Sequence, residues 1–98
     1  MNKIQIQYTE KQRQILQGIT SVSFDFALSD GRAINSILND MNSKFNPYPK
    51  KDKYSSTLKY YQGNALVVIC KILQKEHKQE PLILSTCTSL IQQIEPKL

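Results

Sequence analysis

The chain has 98 residues, 40% of them apolar and 21% charged, enough for one hydrophobic core and too few for two. Thirteen Lys and Arg against eight Asp and Glu give a formal charge of +5, which favours acidic partners: nucleic acid, an anionic membrane face or an acidic protein surface. Two cysteines exclude a disulfide-dense scaffold, and the longest polar-free run, "ALVVIC", is far too short for a membrane span.

The N-terminal "MNKIQIQYTEKQ" has no apolar segment of a secretory signal, so a cytoplasmic protein is expected, with residues 1–8 as a loosely ordered arm. Thr9 followed by Gln12 fits a capping box, in which hydroxyl and amide satisfy the free N–H groups of a first helical turn. From there Ile15, Leu16, Ile19, Val22 and Phe26 share a helical face, which predicts a helix over about 9–28. The alternative is a strand over about 20–28, because "SVSFDFALS" alternates cleanly; the other alternating stretch is "KIQIQY".

A second helix follows Asp30, with Ile34, Ile37, Leu38, Met41 and Phe45 as its apolar stripe. The prolines of "NPYP" then force an extended joint, and residues 46–53 are expected to be a connector. A third helix is predicted from Ser55 or Ser56 to about Gln79, with Leu58, Tyr61, Ala65, Ile69, Ile72 and Leu73 inward. Its "ALVVIC" is apolar all round and so belongs at the centre of the fold. Pro81 suits the first turn of a fourth helix lined by Ile83, Cys87, Leu90, Ile91 and Ile94 and ended by Pro96. No internal repeat stands out. The expected fold is all-α, a compact antiparallel four-helix bundle in one domain over 1–98, with an α+β fold using the strand near 20–28 as the alternative.

Catalysis needs clustered, tunable groups, and the sequence offers none. His77 sits in a charged helical tail between Glu76 and Lys78. Cys70 and Cys87 lie in apolar surroundings as reduced, packing thiols, without zinc-ligand spacing, and the glycines form no phosphate loop. No catalytic, metal or cofactor site is expected. The candidate contact residues are instead basic: Lys50, Lys51 and Lys53 with Tyr48 in the connector, and Lys71, Lys75 and Lys78 along the outside of the third helix. Lysines beside exposed rings suit single-stranded nucleic acid as well as an acidic protein.

The run "INSILNDMNSKF", the polar joint, the long helix "LKYYQGNALVVICKILQKEH" and the last helix "PLILSTCTSLIQQI" resemble, in order and length, the small helical-bundle immunity proteins that protect lactic acid bacteria from class II bacteriocins. The tetrad "LILS" after a proline is similar to a segment of some members, which carry it mid-chain rather than in the last helix. That resemblance implies a cytosolic protein that recognises a bacteriocin-engaged sugar-transporter complex at the membrane. The expectation is therefore a non-enzymatic interaction protein whose partner is another protein. A small basic nucleic-acid-binding accessory protein of phage or plasmid type is the alternative, and no small-molecule substrate is expected in either case.

Overall fold

The computed structural model describes residues 3–21, 31–45 and 51–98. Along the chain these form β1 (Lys3–Thr9), α1 (Glu10–Ser21), α2 (Gly31–Met41) with a 3-10 turn over Asn42–Phe45, β2 (Lys53–Lys59), α3 (Tyr60–Glu76), and α4 (Pro81–Ile94) with a 3-10 turn over Glu95–Lys97. The described chain is mostly helical, with four α-helices and a two-stranded antiparallel sheet.

That sheet corrects the all-α expectation. Residues 3–9 are a strand rather than a loose arm, because Ile4, Ile6 and Tyr8 point into the core while Lys3, Gln5, Gln7 and Thr9 point out. Its partner is the segment assigned above to the end of the connector and the start of the third helix, so α3 begins at Tyr60 rather than at Ser55 or Ser56. β2 escapes a period-two reading because its central inward position is Ser56, which breaks the apolar alternation of Tyr54 and Leu58. The Ser56 hydroxyl is satisfied across the sheet by Tyr8 Oη at 2.5 Å. Thr20 and Ser21 are helical; the remainder of the proposed 20–28 strand, and connector residues 46–50, lie outside the described residues.

The two strands pair in a register centred on Ile6 opposite Ser56, so a local two-fold axis through the ribbon relates residue n of β1 to residue n+50 of β2. The relation extends beyond the strands. α1 and α3 begin at Glu10 and Tyr60, and α2 and α4 begin at Gly31 and Pro81, each pair fifty residues apart. Both first helices start with the same bond: Gln12 Oε1 accepts the Thr9 N–H at 2.9 Å, and Gln62 Oε1 accepts the Lys59 N–H at 2.9 Å. At the first of these the expected capping box is complete, since Thr9 Oγ1 also accepts the Gln12 N–H at 3.3 Å. α2 packs on α3 and α4 on α1, the reciprocal contacts a two-fold requires. The chain is thus two strand–helix–helix units, sharing one ribbon and one core. The repeat is hidden in sequence because what recurs is the pattern of elements and burial, not the residues.

The core runs through both units. Ile4, Ile6, Leu16, Leu38, Phe45, Leu58, Leu66, Ile69, Cys70, Cys87, Leu90 and Ile94 are all essentially excluded from solvent. Each large aliphatic side chain there contributes about 1.5–3 kcal/mol by leaving water. "ALVVIC" of α3 is nearly surrounded, as its composition demands, with only Val68 half-buried. Tyr61, expected on the inner face of this helix, is 51% exposed in its first turn, since α3 starts only at Tyr60. Cys70 and Cys87 are free and buried, facing each other across α3 and α4. Among the described residues no helix is long and apolar enough to cross a membrane.

Candidate nucleic-acid interface

A two-stranded sheet whose one face is buried must present its other face to solvent. Here that outer face consists of Lys3 opposite Lys59, Gln5 opposite Thr57, Gln7 opposite Ser55 and Thr9 opposite Lys53, all exposed. None of the eight is acidic or apolar. Like charges directly opposite each other, as at Lys3 and Lys59, weaken a sheet, so stability alone does not favour this pair. Lysines stand at both ends of the ribbon, roughly 20 Å apart at about 3.4 Å per residue, and amides and hydroxyls fill the middle.

Both free edges of the ribbon are held from the ends of the second helices. Gln93 of α4 binds the outward backbone of Gln7 twice, accepting its N–H at 2.7 Å and donating to its carbonyl at 2.9 Å. At the two-fold-related position, Lys44 Nζ reaches the carbonyl of Thr57 at 3.4 Å. These side chains occupy the edges where another strand would add, and leave the outer face clear.

Beneath the Thr9–Lys53 end lies a polar and aromatic anchor. Tyr8 and Tyr54, a directly opposed pair, stack with ring centroids 5.6 Å apart, and Phe45 meets Tyr8 edge-on at 5.7 Å. Arg13, only 4% exposed, is clamped by both carboxylate oxygens of Glu10 at 2.8 Å. It also donates to the Phe45 carbonyl at 2.8 Å and lies 5.9 Å from the Tyr54 ring centroid. Tyr54 Oη donates to Glu10 at 2.7 Å and accepts the backbone N–H of Lys51 at 2.7 Å. The Arg13 guanidinium, then the Gln14 amide and the Tyr54 hydroxyl, hold the Glu10 carboxyl well below the usual carboxylate range. Burial pushes the Tyr8 hydroxyl up.

An open groove of about 680 Å³ borders this end, lined by Lys44, Lys51 and Lys53 with the hydroxyls of Thr9, Ser55 and Tyr54. No acidic residue is among its described lining. Among the described residues the Lys and Arg ion pairs are Arg13–Glu10 and Lys71–Glu95, so no carboxylate there neutralises the lysines of the groove and the ribbon; Lys44 is held on the Thr57 carbonyl.

The candidate residues named from sequence divide accordingly. Lys51 and Lys53 lie at the end of the ribbon, while Tyr48 and Lys50 lie outside the described residues. Lys71, Lys75 and Lys78 are exposed in the second half of α3 and the turn beyond it, with Lys71 about 16 Å along the helix from its start at the ribbon. Lys71 is already paired with Glu95 at 2.6 Å. The structure does not bring these three to the ribbon.

Sequence reasoning missed Lys3, Gln5, Gln7, Thr9, Ser55 and Thr57 as contact residues. The first four lie in "KIQIQYT", whose alternation is informative only once a partner strand is found. His77 closes α3 and contacts Glu80 at 3.3 Å. Among the described residues no group of three or more His, Cys, Asp or Glu side chains could hold a metal ion.

No family model matches this chain, and neither a curated protein nor a solved structure is significantly similar to it.

Proposed function

We propose that this protein is a non-enzymatic binder of double-stranded DNA that lays the outer face of its β1–β2 ribbon in the major groove. The observation that carries the reading is the composition of that face: lysines at both ends, amides and hydroxyls between, and no acid or apolar group. Two strands about 4.8 Å apart with their side chains fit a groove about 12 Å wide. The end lysines suit phosphates on either side, and Gln, Ser and Thr are residues that hydrogen-bond to base edges. Helices packed on the inner face supply the rigid backing that keeps a two-stranded ribbon, marginal by itself, in shape.

The test is binding to duplex DNA across a salt series. Neutralising three ribbon lysines and those of the adjoining groove predicts that affinity falls with salt at a log–log slope of about −3 to −5. Absence of duplex binding at low salt overturns the reading.

Recognition of another protein is the second reading, supported by the exposed rings of Tyr60 and Tyr61 and by exposed Leu82. A partner held by those apolar groups would respond little to salt. The immunity-type version of this reading rests on the order and length of helices alone, with residues 53–59 taken as joint and helix rather than strand; expression in a bacteriocin-sensitive strain without protection would end it.

A further inference from the structure

A two-fold ribbon built from identical strands reads a palindromic site, because equivalent residues meet equivalent bases. The ribbon described here has the two-fold geometry without the chemical identity. Related positions carry Lys3 and Lys53, Gln5 and Ser55, Gln7 and Thr57, and Thr9 and Lys59. Only the outermost lysine pair repeats. At the two central positions one strand presents long amides and the other short hydroxyls.

These groups differ in what they can recognise. A glutamine amide pairs with adenine through N6 and N7 at once, a contact worth roughly tenfold or more in discrimination, whereas a serine or threonine hydroxyl accepts or donates to any base. Ser55 is further committed within the protein: its Oγ accepts a hydrogen bond from Gln5 Nε2 at 2.8 Å. That bond uses one amide hydrogen and leaves the other, together with Oε1, free to face outward. Gln7 is held by its backbone through two hydrogen bonds with the Gln93 side chain, so its own side chain stays available. β1 therefore carries the readers and β2 includes a residue that orients one of them.

Building on the assignment of the ribbon to the major groove, we propose that the recognised DNA site is non-palindromic, with adenine determinants where Gln5 and Gln7 of β1 reach it, one on each side of the two-fold, and none at the symmetry-related positions met by Ser55 and Thr57. The two-fold is a property of the backbone and of Lys3 and Lys53, which stand symmetrically at the two ends of the ribbon; the base contacts break it.

Selection of bound sequences from a randomised duplex library tests this, with total binding to unselected duplex measured in parallel. The expected result is a motif with two adenine preferences that the two-fold does not relate to each other. The double substitution Ser55→Gln with Thr57→Gln places glutamine at all four central positions. It is expected to add an inverted copy of the adenine preference and make the motif palindromic. Gln5→Ala with Gln7→Ala is expected to remove the adenine preference, about tenfold per position, with a much smaller loss on unselected duplex. All four positions are on the exposed face, so folding of the variants is checked directly by thermal melting. A palindromic or featureless motif from the parent protein overturns the asymmetry while leaving the ribbon assignment standing. So does a double variant whose motif is unchanged. Failure to bind any duplex overturns both.

Discussion

Gly63 stands fifty residues after Arg13, and both occupy the fourth position of the helix that follows a ribbon strand. Each faces the second residue of the opposite strand: Arg13 lies over the Tyr54 ring, and a Cβ on Gly63 would sit 2.8 Å from Ile4 Cδ1. The same junction of helix and strand is thus solved twice, once by a buried cation with its carboxylate and once by close approach of the backbone.

The second solution predicts an asymmetry between two glycines. An added methyl at Gly63 would also meet Ile94 Cγ2 at 3.0 Å, inside a filled core. Overpacking of this kind costs about 1–3 kcal/mol, against which about 1 kcal/mol returns from helix propensity. Gly63→Ala is expected to lose about 1 kcal/mol in urea unfolding, and Gly63→Val more. Gly18, with nothing within 4 Å of its Cβ position, is exposed in α1, so Gly18→Ala is expected to gain about 0.5–1 kcal/mol. Equal effects at both sites would contradict the close approach.

The first solution predicts an acid-sensitive junction. The folded Glu10 carboxyl titrates below its ordinary value of 4.5, chiefly because Arg13 bonds to it. A depressed carboxylate contributes stability that is fully present above the unfolded value and is lost as pH falls toward the folded one. Stability is therefore expected to decline below about pH 4.5, and Glu10→Gln should flatten that decline, read from thermal melts between pH 2 and 7. Arg13→Ala, which strands Glu10 and the Phe45 carbonyl, is expected to cost about 2–4 kcal/mol at neutral pH.

Lysines on and off the ribbon should separate by their salt response. Replacing Lys3, Lys53 or Lys59 by Gln is expected to weaken duplex binding about uniformly across sequences and to reduce the log–log salt slope by about one each. Lys71→Gln and Lys75→Gln, on the distal part of α3, are expected to leave the slope unchanged. A slope that follows the α3 lysines instead would move the interface to that helix.

The cysteines should be silent in the native state. The hydrogen bond with Cys87, together with burial, holds the Cys70 thiol in its protonated form, and both sulfurs are closed off from solvent. The thiolate is the reactive form, so alkylation of the folded protein is expected to proceed only through unfolding. Mass spectrometry of alkylated protein in native and denaturing buffer measures this; rapid modification of native Cys70 would place it at the surface.

Much of the helical framework was legible because it depends on local spacing. The stripe of Ile34, Leu38 and Met41, the all-round apolarity of "ALVVIC", Pro81 at a first turn and the Thr9–Gln12 cap each reveal themselves within a few turns. The ribbon did not. "KIQIQYT" alternates well, but its partner lies fifty residues away, and "KYSSTLK" has a serine at its central inward position whose cost is removed only by the Tyr8 hydroxyl. Tyr61 escaped its expected place for the same reason: once residues 53–59 are extended, Tyr54 turns inward to stack on Tyr8, and Tyr61 falls in the exposed first turn of α3.

By itself, then, the order of residues determined where coils wind, which of their sides are greasy, and that the molecule is basic, since these follow from nearest neighbours along the chain. Only the folded arrangement decided that two distant polar segments pair, that their pairing relates the halves by a two-fold, and that three lysines and five neutral hydrogen-bonding side chains share one surface. Strand pairing joins residues far apart in sequence, and its energy comes from contacts that do not exist until the helices beneath have closed around them.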